Sequence, residues 1–132
     1  MSLDYTMIGT ANLASSRDFY DAVFPCFGGK IDADFPGYGF CYVFRNGTRV
    51  WIAPPNDKQA PQAGNGNMPG FRCADKAEVD AAYAAALAHG GTDEGPAGPR
   101  PMYGPSFYGA YVRDPEGYKM SFICDDGAIH SG

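Results

Sequence analysis

The chain contains two copies of one pattern, and this internal repeat is the strongest constraint on its fold. Residues 11–24 superimpose on residues 74–87 at an offset of 63 positions, which places Tyr20 on Tyr83 and Ala22 on Ala85. In each copy apolar side chains recur three or four positions apart, which predicts an amphipathic helix. Repetition at this period is typical of a fold assembled from two like units.

The ends of both predicted helices carry matching signals. Asn12 and Asp75 stand where an N-cap is expected, because their side chains can accept from unpaired backbone N–H groups. Glu78, three residues after Asp75, can complete a capping-box-like pair. The glycine pairs 28–29 and 90–91 provide the left-handed backbone that ends a helix. Each repeat therefore predicts a helix with a defined start and stop.

Two tight turns predict strand hairpins in corresponding places. Asn46-Gly47 and Asp114-Pro115-Glu116-Gly117 are turn sequences, and aromatic and β-branched residues flank both. Further strands near 4–9 and 66–73 open the two halves, so each half predicts strand, helix and three strands. The glycine- and proline-rich segment 95–105 is predicted to be a long loop. The predicted organisation is one domain, 1–132: module one at 3–54, a linker at 55–64, module two at 65–125 and a tail at 126–132.

Two motifs resemble a known family. They are S-x-x-F-Y-x-x-x-F at residues 16–24 and the R-D-P-x-G turn at residues 113–117. Together with the repeated order they resemble the glyoxalase / bleomycin-resistance / extradiol-dioxygenase superfamily, also called vicinal oxygen chelate proteins. The resemblance implies an α+β fold in which two tandem βαβββ modules form an incomplete, cup-shaped barrel around a cavity. It also implies a homodimer and, in the enzymes of the family, a divalent metal held by His and Glu.

The positions expected to carry that metal hold other residues. The resemblance places the ligands at Tyr5 and Met68 in the opening strands and at Ser121, pseudo-equivalent to Trp51, in the closing strands. None of the four is an imidazole or a carboxylate, the donors that such a cation needs. His89 and His130, the two histidines of the chain, are expected to be exposed. The sequence therefore predicts no metal and no other cofactor.

The residues left in the predicted cavity favour an organic ligand. By the two-residue period of strands, one strand face is expected to present Tyr5, Trp51, Met68, Arg72 and Ser121. Tyr103, in the long loop, and Tyr111, before the second turn, complete the predicted ligand-binding set. Met7 shares the face but is expected to fill the interior of the barrel. An aromatic, thioether-rich cavity with one cation suits a flat or extended organic molecule.

Charge and cysteine usage exclude several classes of function. The formal net charge is −5, from 10 basic and 15 acidic residues, and the sequence has no basic stripe that would indicate nucleic acid binding. No apolar run approaches the ~20 residues needed to cross a membrane. The four cysteines form no C-x-x-C pair and, without an export signal, are expected to be reduced. These features predict a cytoplasmic protein.

Three hypotheses remain for function. The first is a metal-free protein that binds a small organic molecule in its barrel cavity. The second is an enzyme, either lactoylglutathione lyase-like or dioxygenase-like with a metal, or a metal-independent isomerase. The third is a dimeric scaffold without a small-molecule role. The missing metal ligands favour the first.

Overall fold

The computed structural model describes residues 3–125, which form two helices and eight strands. The first half contains β1 (Tyr5–Gly9), α1 (Leu13–Val23), β2 (Lys30–Phe35), β3 (Gly39–Val43) and β4 (Arg49–Ala53). The second half contains β5 (Gly70–Arg72), α2 (Lys76–Ala88), β6 (Thr92–Pro99), β7 (Tyr108–Arg113) and β8 (Lys119–Cys124). Short 3-10 helices follow α1 and β6, at Phe24–Phe27 and Pro101–Tyr103. The order of elements in the two halves confirms the predicted repeat.

Each half forms its own four-stranded sheet. The strand order is β1-β4-β3-β2 in the first sheet and β5-β8-β7-β6 in the second. In both, the opening strand pairs in parallel with the closing strand, and the other pairs are antiparallel. The described residues contain no closed barrel, which agrees with the predicted α+β, incomplete-barrel class.

The helices begin and end where the sequence predicts. The Ser15 N–H donates to the Asn12 side chain at 3.0 Å, and the Glu78 N–H donates to the Asp75 side chain at 2.9 Å. Gly28 and Gly90 have φ values of 92° and 96°, the left-handed backbone that favours glycine after a helix.

Aromatic side chains join the two halves in one core. The Phe27 ring, 2% exposed, lies 5.5 Å from Phe44 of its own half and 5.5 Å from Phe71 and Phe122 of the other half. Phe24 contacts the Tyr42 ring at 4.9 Å, centroid to centroid. Such contacts bury large apolar areas and favour edge-to-face or offset geometry. The core therefore lies between the helices and one face of each sheet.

The turn before β8 ties the second half to the first helix. The Asp114 carboxylate, 3% exposed, accepts from the Tyr20 hydroxyl of α1 at 2.5 Å and from the N–H groups of Glu116 and Tyr118, both at 2.9 Å. Glu116 Oε1 accepts from the backbone N–H of Ala11 at 2.7 Å, just before α1. The acidic residues of this turn thus bind the start and the interior of the other module's helix.

The first half makes the reciprocal contact. Arg45, in the turn before β4, forms an ion pair with Glu78 of α2 at 2.7 Å. The Glu78 side chain also accepts from the backbone N–H of Ala74 at 2.7 Å. In the predicted capping box the donor would instead be the backbone N–H of Asp75. Each hairpin turn therefore contacts the N-terminal end of the helix in the other half.

Two expectations for the second half are wrong. The segment 95–105 is not one loop, because β6 continues to Pro99 and pairs with β7, with register shifts around Gly95. β6 is an edge strand, where a proline without an N–H is tolerated. The opening strand is also shorter than 66–73: it begins at Gly70, after Pro69, so Met68 precedes it.

Replacing Asp114 with Asn should change how stability depends on pH. Burial raises the pKa of Asp114 above its ordinary value, so the folded state holds this proton more tightly than the unfolded chain does. The part of the stabilisation that comes from this bound proton is then fully present below the unfolded-state pKa and is lost as pH rises through the folded-state pKa. Asn keeps the shape of the side chain but cannot titrate.

We therefore expect the free energy of unfolding of the wild type, relative to Asp114→Asn, to fall as pH rises across that window. Urea denaturation of both proteins at a series of pH values measures the difference. A difference that stays constant or grows with pH would contradict the raised pKa.

Candidate functional site

The first sheet exposes apolar side chains on its free face, the face opposite the helices. Val50 and Ile52 of β4 point into the core, so the alternate residue Trp51 points to the free face. Its neighbour across the parallel pair β1–β4 is Met7, which is 48% exposed. The Trp51 ring is half-buried and stacks on Phe35, with centroids 6.2 Å apart and planes 9° apart.

The free face of the second sheet combines an aromatic ring with two cations. Tyr111 of β7 lies directly opposite Ser121 of β8 in the antiparallel ladder. The Arg100 guanidinium carbon is 5.5 Å from the centroid of the Tyr111 ring, and Lys119 Nζ is 6.0 Å from the same centroid. Both distances are within the range of cation–π attraction. Burial raises the pKa of the Tyr111 hydroxyl, which therefore stays neutral.

Backbone carbonyls hold Arg100 in this place. Its guanidinium donates to the oxygens of Pro96 at 2.6 Å, Gly98 at 2.9 Å and Pro99 at 3.3 Å. β6 is an edge strand and its pairing with β7 is irregular around Gly95, so several of its carbonyls are available to a side-chain donor. The segment that the sequence suggested as a loop thus positions a cation over Tyr111.

A cavity of about 650 Å³ lies between the two sheets. Its walls combine thioether, aliphatic and amide groups with one ammonium group. They come from β1 and the residues just before it, from the segment before β5, and from the start of β8. The lining residues are Leu3, Thr6, Met7, Ile8, Gln62, Gly64, Gly66, Asn67, Met68, Pro69, Tyr118 and Lys119. Lys119 is the only charged residue in this lining, and no carboxylate faces the cavity from the described residues. We refer to it as the Met7–Lys119 cavity.

A second cavity, of about 590 Å³, opens beside the aromatic core. The rings of Phe27, Phe44 and Phe71 form part of its wall, and Arg72 and Asp125 also line it. Its charges therefore include both signs, unlike those of the Met7–Lys119 cavity.

The structure separates the predicted ligand-binding residues into five places. Met68 lines the Met7–Lys119 cavity, and Arg72 lines the second cavity. Tyr111 and Ser121 are cross-strand neighbours on the second sheet, with Ser121 only 4% exposed. The others are Trp51 and Tyr5 on the first sheet, Tyr5 being 57% exposed, and Tyr103, 54% exposed, whose ring packs on Phe107 at 5.4 Å.

The sequence analysis did not predict the places of three residues near these sites. Met7 does not fill a barrel interior but lines the cavity half-exposed, because the sheets do not close over it. Lys119 sits two residues before Ser121 on the same strand face, a period-2 signal that could have identified it. No local signal could have identified Arg100, since its contact with Tyr111 depends on the pairing of β6 with β7.

The thiols of Cys26, Cys41 and Cys73 are not activated nucleophiles. Within residues 3–125 none of the four cysteines forms a disulfide. Burial raises the pKa of Cys73 to about 12 and also raises the pKa values of Cys26 and Cys41. A thiol needs a lowered pKa to react as a thiolate at neutral pH.

The side chains at the family's metal positions do not fit a divalent cation. Tyr5, Trp51, Met68 and Ser121 offer no imidazole or carboxylate, and residues 3–125 contain no cluster of three His, Cys, Asp or Glu side chains. His89 caps α2, half-buried, with Nδ1 3.4 Å from the Asp18 carboxylate. His130 lies outside the described residues.

Comparison with known proteins identifies the family. The sequence model of the Glyoxalase/Bleomycin resistance protein/Dioxygenase superfamily matches residues 2–122. The chain belongs to this superfamily. A glyoxalase/bleomycin resistance protein from Albidiferax ferrireducens T118 is 31% identical, with a TM-score of 0.81 over 92% of this chain and 96% of that one.

More distant solved structures share the fold alone. A lactoylglutathione lyase from Agrobacterium tumefaciens is 21% identical, with a TM-score of 0.65 over 92% of each chain. A glyoxalase-related enzyme from Fulvimarina pelagi is 19% identical, with a TM-score of 0.73 over 93% of this chain and 87% of that one. No curated protein matches the chain significantly. No helix within residues 3–125 is long and apolar enough to span a membrane.

Elemental analysis tests the prediction that no metal binds. Protein purified without metal-affinity resin should contain well under one Zn, Ni, Fe or Mn ion per chain, because the positions of Tyr5, Met68 and Ser121 lack suitable donors. One tightly held ion per chain, removable only by a chelator, would contradict this and favour a lyase or dioxygenase.

Proposed function

We propose that this protein binds a small organic molecule in the Met7–Lys119 cavity, without the metal of its family. The observation that carries the proposal is the cavity itself, which has a volume of about 650 Å³ and receives no carboxylate from residues 3–125. Small-molecule sites typically measure roughly 300–1,000 Å³ and combine apolar walls with a few polar groups.

The walls of the cavity suit an extended apolar body. The thioether side chains of Met7 and Met68 lie on it, 48% and 45% exposed. Methionine is flexible and polarizable, so it adapts to different ligand shapes and makes favourable contacts with aromatic rings. Gln62 and Asn67 add amide groups that can orient polar substituents.

A lactoylglutathione lyase-like or dioxygenase-like enzyme is the rival function. That reaction class depends on a metal, and the side chains at the expected positions do not supply its ligands. The lyase from Agrobacterium tumefaciens, at 21% identity, supports the fold of this chain and not its activity.

We also propose that the protein forms a homodimer through the free face of the first sheet. Tyr5, Phe35 and Tyr38 are 57%, 55% and 79% exposed there or beside it. Contiguous exposed apolar side chains are uncommon on monomers and mark interaction surfaces. A second copy of the chain is the occupant that the family resemblance suggests, and closed dimers are the commonest soluble oligomers.

Trp51, the only tryptophan, should report on ligand binding. It is the cross-strand neighbour of the cavity residue Met7, so a conjugated ligand in the cavity should quench its emission saturably. Trp51 lies outside the cavity lining but supports Met7 from the neighbouring strand, so Trp51→Ala should weaken binding severalfold by releasing Met7 from its position. Fluorescence titration of the wild type and calorimetry of the variant measure the two effects.

Met102→Ala provides the matched control, since Met102 is 71% exposed and outside the cavity lining. It should leave affinity unchanged. A diverse ligand library without any saturable change, together with a large fall in melting temperature for Trp51→Ala, would show that Trp51 contributes only to the stability of the fold.

Light scattering tests the homodimer. At micromolar concentration the wild type should have twice the mass of one chain, and Phe35→Lys should shift it toward the monomer by placing a charge on the buried face. Met102→Lys, on the other half, should remain dimeric. A wild type with the mass of a single chain would rule out the dimer.

A further inference from the structure

Two cations on the free face of the second sheet have no acidic partner. Among the described residues, neither Lys119 nor Arg100 forms an ion pair. Arg113, on the same sheet, is by contrast paired with Glu94 at 3.2 Å. Arg17, Arg45 and Arg49 are likewise paired. In a chain with a net charge of −5, unpaired cations gathered at one place indicate a site for negative charge.

These two cations meet at one ring beside the cavity. Lys119 lines the Met7–Lys119 cavity, and its Nζ lies 6.0 Å from the centroid of Tyr111. The Arg100 guanidinium lies 5.5 Å from the same centroid. An anionic group at the edge of the cavity would therefore be attracted by both charges, while the rest of the ligand lies between Met7 and Met68.

We propose that the ligand of this cavity is an organic acid whose carboxylate pairs with Lys119, with Arg100 adding to the local positive potential. This inference rests on the proposed function and names the class of its ligand. The apolar walls select an acid with an apolar body, because they cannot hydrogen-bond a ligand that is polar throughout.

The available donors favour a single carboxylate over a phosphate. Arg100 already donates three hydrogen bonds to backbone carbonyls, so only part of its five N–H groups is available. Lys119 is then the one charged donor that the described residues place in the lining, and its compact ammonium suits a carboxylate as a point charge. A phosphate dianion would leave much of its charge and several oxygens without partners.

The test compares matched pairs of ligands. Isothermal titration calorimetry would measure a panel of aromatic and aliphatic carboxylates, each against its primary amide, at low and high salt. We expect the carboxylates to bind about tenfold more tightly than their amides, and the advantage to shrink as salt screens the charges. Lys119→Gln should remove this advantage and leave amide binding unchanged, and Lys119→Arg should restore most of it.

Two control variants locate the effect. Lys30→Gln removes a cation of β2, far from the cavity in sequence, and should not change carboxylate binding. Arg72→Gln removes the cation of the second cavity and tests whether the ligand binds there instead. Equal affinity for acids and amides, or an unchanged affinity in Lys119→Gln, would overturn this inference while leaving the proposed function intact. If Arg72→Gln abolishes carboxylate binding, the ligand lies in the second cavity, and both this inference and the proposed function are overturned. If neither the carboxylate panel nor neutral organic ligands bind, both this inference and the proposed function are likewise overturned.

Discussion

The buried carboxylate of Asp114 is the interaction on which the arrangement of the two modules depends. A charged group can be buried only when hydrogen bonds replace its water, and Asp114 receives three, one of them from Tyr20 in the other half of the chain. Its neighbour Glu116 accepts from backbone N–H groups at the start of α1, where the helix dipole favours negative charge. The same turn therefore shapes a hairpin and docks one module on the other.

This contact also determines where the cavity lies. The Tyr118 N–H donates to Asp114, so the first residues of β8 follow directly from the anchored turn. Tyr118 and Lys119 then form one wall of the Met7–Lys119 cavity, opposite side chains of β1. A change in the docking of the turn would move Lys119 relative to Met7, which couples the packing of the modules to the shape of the site.

The chain retains the fold of the superfamily, and the positions that the resemblance assigns to its metal hold Tyr5, Trp51, Met68 and Ser121. The aromatic core around Phe27 and the reciprocal turn contacts need no metal, since they rest on apolar burial and on hydrogen bonds between the modules. A scaffold stabilised in this way leaves the residues of its cavity free to change. Membership of the family therefore establishes the architecture, and the chemistry has to be argued from the side chains that remain.

The sequence by itself determined the repeated modules, both helices with their caps, and the two turns. These features depend on residues a few positions apart, such as Asn12 with Ser15, so they can be recognised from the sequence alone. Tertiary structure alone decided that β6 pairs through its glycines and prolines, that Met7 stays exposed, and that Arg100 and Lys119 both lie near the Tyr111 ring. The physical reason is that strand pairing and the docking of the modules bring together side chains from distant parts of the chain, and neither is encoded in the spacing of neighbouring residues.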